Sequence, residues 1–381
     1  MIRRRAVFAA MAALALSGCA ADFGYYWQSA RGHLALMRAA RPVPEWLVDP
    51  AASDALKAKL ALTQRIRRFA VAELGLPDNP SYKAYADLHR PAAIWNVVAA
   101  PPYSLTLKTW CFPVAGCVGY RGYYDEAAAR DEAAALGAQG LEAAAYPVPA
   151  YSTLGWMNWA GGDPLLSTFI GYPEGELARI VFHELAHQVL YVPGDTMFNE
   201  SFATAVERIG GARWLQTQAG EAARLEYAQF DSRRQQFRAL TARTRQVLGD
   251  IYASKEAQAG DWAAVDAQKK AAMEDFRQRY AVLRAGWSGP RQGAYDRWVA
   301  LANNALFGAQ AAYDELVPDF EALFEREGRD WPRFYGAVKR LAHLPKDERM
   351  QALRMGDAVA PAARRPAEEP HQQNRQGGPG A

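Results

Sequence analysis

Between residues 52 and 75, Leu56, Leu60, Leu62, Ile66 and Phe69 recur at roughly helical spacing. Residues 22–40 read the same way, with Pro42, Pro44 and Pro50 separating the two helices. The pattern changes over 91–124. There AIWNVVAA, YSLTLKTW and VGYRGYY are β-branched and aromatic runs divided by Pro101-Pro102 and a cysteine loop, and they read as short strands. Ala-rich 125–142 returns to helix. YPVPAYSTL at 146–154 suits another strand, whose prolines point to a sheet edge. PEGELARIVFHELAHQVLYV, from Pro173, reads as a helix: Pro is allowed in the first turn, and Glu174 and Glu176 sit near the positive end. Pro193-Gly194-Asp195-Thr196 breaks it, and a second helical run begins near Thr196 or Asn199. Residues 212–286, rich in Ala, Gln, Arg and Glu, read as two or three long amphipathic helices forming a projecting hairpin, their charges a solvated face. The segment 291–340 is helical again. The expected fold is α+β, predominantly α-helical, with a small sheet beside the helix that carries His183 and His187.

That helix carries the candidate chemistry. His183 and His187 are four apart, so both imidazoles project from one face. Two neutral imidazoles so placed suit a zinc ion, which prefers tetrahedral nitrogen and oxygen ligands at ~2.0–2.2 Å. A third ligand must come from elsewhere, because one helical face cannot supply three tetrahedral corners. The following helix carries Glu200 and Glu207, seven apart and nearly on one face, and folding back over the turn could bring Glu200 to the metal. Glu184, between the histidines, then has the position of a general base that takes a proton from a polarised water. One zinc ion per chain is expected.

His183-Glu184-Leu185-Ala186-His187 followed by Asn199-Glu200-Ser201-Phe202-Ala203 resembles the gluzincin metallopeptidases, particularly the alanyl and leukotriene-hydrolase type of aminopeptidase. By position, Glu200 corresponds to their third ligand and Glu207 to a later Glu behind a ligating His, with Asn199 beside it. Residues 188–199 make a shorter connection than in that family, and no GxMEN motif occurs. The whole chain is similar to a family of predicted aminopeptidases found as bacterial lipoproteins, on GYYWQSARGHL, IWNVVAAPPYSL, AYSTLGW with DPLLST, and NNA with Tyr313 and VPDF; this covers most of 24–340. The resemblance implies that AYSTLGW lies along the cleft, where an edge strand pairs with peptide. Ser152, Thr153 and Trp156 then contact substrate, with Trp159 as a second wall, and Asn304 is a further candidate contact. It also implies a downstream Tyr that stabilises the developing oxyanion: Tyr313, with Tyr295 behind it. His33, His89 and His343 stand alone and read as structural.

Export is written at the start of the chain. MIRRR is a basic n-region, AVFAAMAALAL an apolar h-region, and LSGC at 16–19 resembles a lipobox. Cleavage before Cys19 and lipidation of its thiol would anchor the chain on the periplasmic side of the envelope, with Ala20 favouring the outer membrane. Cys111 and Cys117 then remain as an even pair in an oxidising compartment and are expected to form a disulfide; a cysteine metal site lacks a neighbouring His or Cys. With 44 Lys and Arg against 41 Asp and Glu, the net charge of +3 gives no sign of a nucleic-acid groove or polybasic patch.

The expected organisation is a signal peptide at 1–19, a metallopeptidase core at 20–211, the hairpin at 212–286, C-terminal helices completing the cleft at 287–356, and a polar tail at 357–381 that cannot order itself. Three activities fit: a zinc aminopeptidase, a zinc endopeptidase, or an envelope structural or assembly lipoprotein without turnover. An intact Glu184 favours the enzymes.

Overall fold

The structure, a computed structural model, describes residues 24–355 apart from 113–115, 156–157, 290 and 312–314. The signal segment, Cys19, Trp156, Tyr313 and the tail from 357 lie outside the described residues.

Helix α1 (24–39) leads into β1 (Ala40–Pro42), α2 (Val43–Val48) and α3 (Asp54–Leu74). Ser53 opens α3 by accepting the Leu56 N–H, and Gly75 closes it in the left-handed conformation. The strands follow: β2 (Ala84–Ala86), β3 (Ile94–Ala100), β4 (Trp110–Phe112), β5 (Gly116–Val118) and β6 (Arg121–Tyr123). After α4 (Glu126–Ala138) come β7 (Glu142–Val148) and β8 (Leu165–Leu166). The rest is helical: α5 (Glu174–Ala186), α6 (Thr196–Thr217), α7 (Glu221–Tyr252), α8 (Lys255–Ala259), α9 (Trp262–Gly286), α10 (Asp296–Leu301), α11 (Asn304–Ala311), α12 (Val317–Arg326), α13 (Trp331–Ala342) and α14 (Lys346–Met355). The fold is α+β and mostly helical, as the periodicity implies. Among the described residues no helix is long and apolar enough to cross a membrane.

Among the described residues three small sheets form, in the orders β1-β2-β8, β6-β3-β7 and β4-β5. In the second, β3 is central and antiparallel to both neighbours, so β7 is an edge. Both faces of β3 are covered. Trp95, Val97 and Ala99 pack with Ala129 and Leu136 of α4, while Val98 and Ala100 pack with Ala305 and Leu306 of α11. This double burial explains the nearly unbroken apolar run at 94–100.

Two expectations from the pattern are corrected. YSLTLKTW forms no strand before Trp110; Lys108 N–H bonds the Ala99 carbonyl, and Leu107 packs with the β3–α11 layer. The strand expected at 146–154 lies earlier, at 142–148, because α4 stops at Ala138 and the chain after it pairs along all of β3.

The main core surrounds α5 and α6. Phe69 of α3 meets Phe182 at 5.9 Å and Trp214 at 5.2 Å, and Phe202 of α6 meets Phe320 and Phe334 from α12 and α13. Residues Phe198 to Val206 of α6 are buried in one unbroken run, as expected of a helix enclosed on every side. α7 and α9 form a hairpin with its own core, where Phe237, Phe276, Trp298 and Phe307 pack edge to face. α6 runs through 212 to Thr217, so the hairpin begins at Glu221.

Candidate metal centre

Helix α5 presents Glu176, Arg179, His183 and His187 along one stripe, at spacings of three and four residues. The opposite face, with Leu177, Val181, Phe182 and Leu185, is buried in the core. This packing against α6 fixes which way the polar stripe points. The turn after α5 is held by Asn199, whose side chain accepts from Val192 N–H at 2.8 Å and donates to the Val192 carbonyl at 2.8 Å. Asp195 accepts the Phe198 N–H at the start of α6 and pairs with Arg349 at 2.5 Å. One turn into α6, Glu200 meets the imidazoles. His183 Nε2 lies 3.2 Å from His187 Nε2, and Glu200 Oε2 stands 3.3 Å from the first and 3.6 Å from the second.

Two turns along α6, Glu207 Oε2 stands 3.1 Å from His183 Nδ1. A proton on Nδ1 directed at this carboxylate leaves Nε2 with its lone pair toward His187 and Glu200. Glu207 is in turn paired with the guanidinium of Arg179, which also faces Glu176 at 3.9 Å and Asp231 of α7 at 3.8 Å. Arg234 of α7 grips Glu176 with two bonds, of 2.8 and 2.7 Å. A continuous chain of charge therefore runs from the hairpin to His183, and the expected projecting arm is correspondingly part of the site's wall.

These residues suit a small divalent ion. Tetrahedral donors at ~2.0–2.2 Å from an ion stand ~3.3–3.6 Å apart, close to the separations observed. The electrostatics agree. Burial alone would lower the His183 pKa, but Glu200 and Glu207 outweigh it and hold it well above its ordinary value. Burial would likewise raise Glu200, yet the two imidazoles bring it down to about 2. The carboxylates that favour a proton on His183 would equally favour a cation in its place, and His183, His187 and Glu200 form a group able to hold one.

The three open into a cavity of about 670 Å3, also lined by Glu184, Tyr120, Asn96, Tyr124, Tyr151, Ser152, Arg234 and Arg238. Glu184 is raised by burial in the first place, with the neighbouring imidazoles pulling the other way. Tyr120 is held well above its ordinary pKa by burial and by Glu200, so its hydroxyl keeps its proton. The Ser152 hydroxyl reaches Glu184 and lies 3.3 Å from Asp163 Oδ2. A serine has one proton to give, so protonation of Asp163 frees it for Glu184.

Asp163 carries a prediction of its own. Burial raises its pKa from 3.8 to about 6, partly offset by Thr153. The folded state therefore binds this proton more tightly than the unfolded chain. The stability it contributes is complete below about pH 4 and is lost as pH rises to about 6, by up to about 3 kcal/mol. Asp163→Asn keeps the acceptor for Thr153 and removes the titration. Relative to the parent, it should gain stability between pH 4.5 and 7 in urea melts; a parallel pH dependence in both proteins would contradict this.

A family model described as "Putative aminopeptidase" matches residues 24–353. The chain belongs to this family. Membership points to peptidase activity, and the match takes in both helices of the candidate centre. No curated protein and no solved structure matches.

In this aminopeptidase-family chain, not every residue singled out from sequence reaches the cavity. Ser152 does. The Thr153 hydroxyl is spent on Asp163 at 2.7 Å. Asn199 staples the α5–α6 turn through its two bonds to Val192. Asn304 is wholly buried; it accepts from Tyr252 at 2.7 Å and donates to the Pro101 and Pro102 carbonyls, a tie between loop and hairpin. Trp159 is 82% exposed and is not among the residues lining the cavity, and Tyr295 stacks on Phe237 at 4.0 Å in the hairpin core. Arg179, Tyr120 and Asp163 were not foreseen. Arg179 had a signal, since a charged residue four before His183 must share its stripe; Tyr120 and Asp163 arrive by tertiary packing.

Cys111 and Cys117 are joined by a disulfide across the β4–β5 hairpin. Its Gly116, at φ +72°, lies against the turn between the two ligand-bearing helices: a Cβ there would fall 2.5 Å from Gly194 N. The hairpin thus buttresses that turn. Cys111→Ser with Cys117→Ser should weaken metal affinity while stability falls by less than the ~3 kcal/mol typical of longer loops. Unchanged metal affinity on titration would remove the buttress.

Proposed function

We propose that the protein is a zinc-dependent peptidase of gluzincin type, acting as an aminopeptidase on envelope peptides and anchored to the periplasmic face of the outer membrane through lipidated Cys19. The observation that carries this reading is the meeting of His183 Nε2, His187 Nε2 and Glu200 Oε2 at the wall of a cavity that also contains Glu184.

His183, His187 and Glu200 would hold the ion, which when bound polarises water and the scissile carbonyl. Glu184 accepts the proton of the attacking water on its carboxylate and hands it to the leaving amine. Its burial favours that exchange by bringing its proton affinity nearer the working pH. Ser152 orients the Glu184 carboxylate. Glu207, braced by Arg179, keeps the His183 ring turned with Nε2 toward the cavity. Tyr120 offers a protonated hydroxyl from the cavity wall, a donor for the oxygen that gains charge. The edge strand β7 leads directly into Pro149–Ser152 at the cavity, so an extended peptide can add along it.

Matched peptides with free and blocked N-termini test the reading. The aminopeptidase hydrolyses only the free series. Cleavage of both makes it an endopeptidase, and cleavage of neither by metal-loaded protein returns it to the non-catalytic lipoprotein.

A further inference from the structure

Helix α1 has two faces, each repeating at the same spacing. Tyr25, Ser29, Gly32 and Leu36 face inward: the first two line the cavity, Gly32 is pressed on Tyr124 so closely that a Cβ would fall 2.1 Å from the ring, and Leu36 is buried. Trp27, Arg31, Leu34 and Arg38 lie half a turn away, at i, i+4, i+7 and i+11, on one stripe. This outer face is open. Trp27 is 57% exposed and Leu34 50%, with Tyr26 beside them at 47%. Large apolar groups gathered on a helix face that no other element covers among the described residues call for a partner.

We propose that the outer face of α1 seats in the headgroup layer of the membrane to which Cys19 ties the chain; this rests on the anchoring proposed above. Covalent reach supplies the first argument. Five residue steps separate Cys19 from Gly24, at most ~18 Å of extended chain. Once Cys19 is held at the lipid surface, the start of α1 cannot leave its neighbourhood. Composition supplies the second. Aromatic and leucine side chains flanked by arginine match the interfacial helices that lie in the membrane plane. Residues 24–39 contain no Asp or Glu, so Arg31 and Arg38 meet anionic headgroups without an opposing carboxylate on the helix.

The consequence for the site is direct. Tyr25 and Ser29 line the cavity from the other side of the same helix, so the cavity wall stands one helix diameter, ~10–12 Å, from the lipid. Peptides held at the membrane surface would then reach the cavity in preference to peptides free in the periplasm.

The test uses the mature full-length protein purified from membranes and reconstituted in phosphatidylethanolamine–phosphatidylglycerol vesicles. Leu34→Cys carries an environment-sensitive fluorophore, and Val282→Cys, at a position 74% exposed on α9, serves as the control on another helix. Brominated lipid is the quencher, and the mass of the N-terminal peptide reports acylation. The proposal expects an acylated peptide, a blue-shifted probe at 34 and several-fold stronger quenching there than at 282. An acylated chain with a water-like probe at 34, or equal quenching at both positions, overturns the seating and leaves the anchor standing. An unacylated peptide overturns the anchor and the seating together.

Discussion

Glu184→Gln should leave the protein able to bind its metal and lower peptide hydrolysis by about 10²–10⁴-fold, the usual contribution of a positioned general base. The substitution is nearly isosteric and lies outside the triangle of His183, His187 and Glu200. What it removes is a carboxylate able to accept a proton. The Ser152 hydroxyl keeps a carbonyl oxygen to bond, so the local geometry survives. The informative reading is therefore a split: equal metal content by elemental analysis, unequal kcat. Hydrolysis at the parent rate by Glu184→Gln would mean that another group takes the proton.

Arg179→Met should destabilise the protein by about 3–5 kcal/mol, because it strands Glu207 in a buried position without its cation. Arg179 is 4% exposed and neutralises Glu207 directly, with Glu176 and Asp231 close by. Since Glu207 also turns the His183 ring, metal affinity should drop by about 10–100-fold. Arg179→Lys keeps the charge but not the planar fork and should lie between. Urea melts and metal titrations measure the two effects separately. A methionine variant with the parent's midpoint and affinity would show that the charge chain from the hairpin does not brace the centre.

How much of this was legible depends on the range over which each feature is encoded. The imidazole pair follows from the pitch of one helix, and Glu200 from a helix restarted after Pro193-Gly194, so local rules suffice for both. The resemblance of HELAH and NESFA to a metallopeptidase pattern rests on the same short stretch. The surroundings of the site are different. Tyr120 comes from the loop before β6, Asp163 from the segment before β8 and Arg234 from the hairpin; nothing near them in sequence announces that they will meet α5. The partners of Asn304 were equally illegible: its side chain satisfies the carbonyls of a loop some two hundred residues earlier. YSLTLKTW misled because β propensity describes residues that suit a pleated, half-buried surface, and here Leu107 packs against that layer without joining a sheet. β7 was displaced for the opposite reason: Ala143, Ala144 and Ala145 favour helix, but a complete antiparallel partner in β3 overrides them.

The central claim is that His183, His187 and Glu200 jointly hold one divalent ion. Elemental analysis of the purified protein, alongside His183→Ala, His187→Ala and Glu200→Ala, tests it directly. The expected result is one zinc per parent chain and a loss of that zinc in each variant while the far-ultraviolet circular dichroism stays that of the parent. A parent that binds no divalent ion when titrated, or a stoichiometric ion that survives all three replacements, would contradict it.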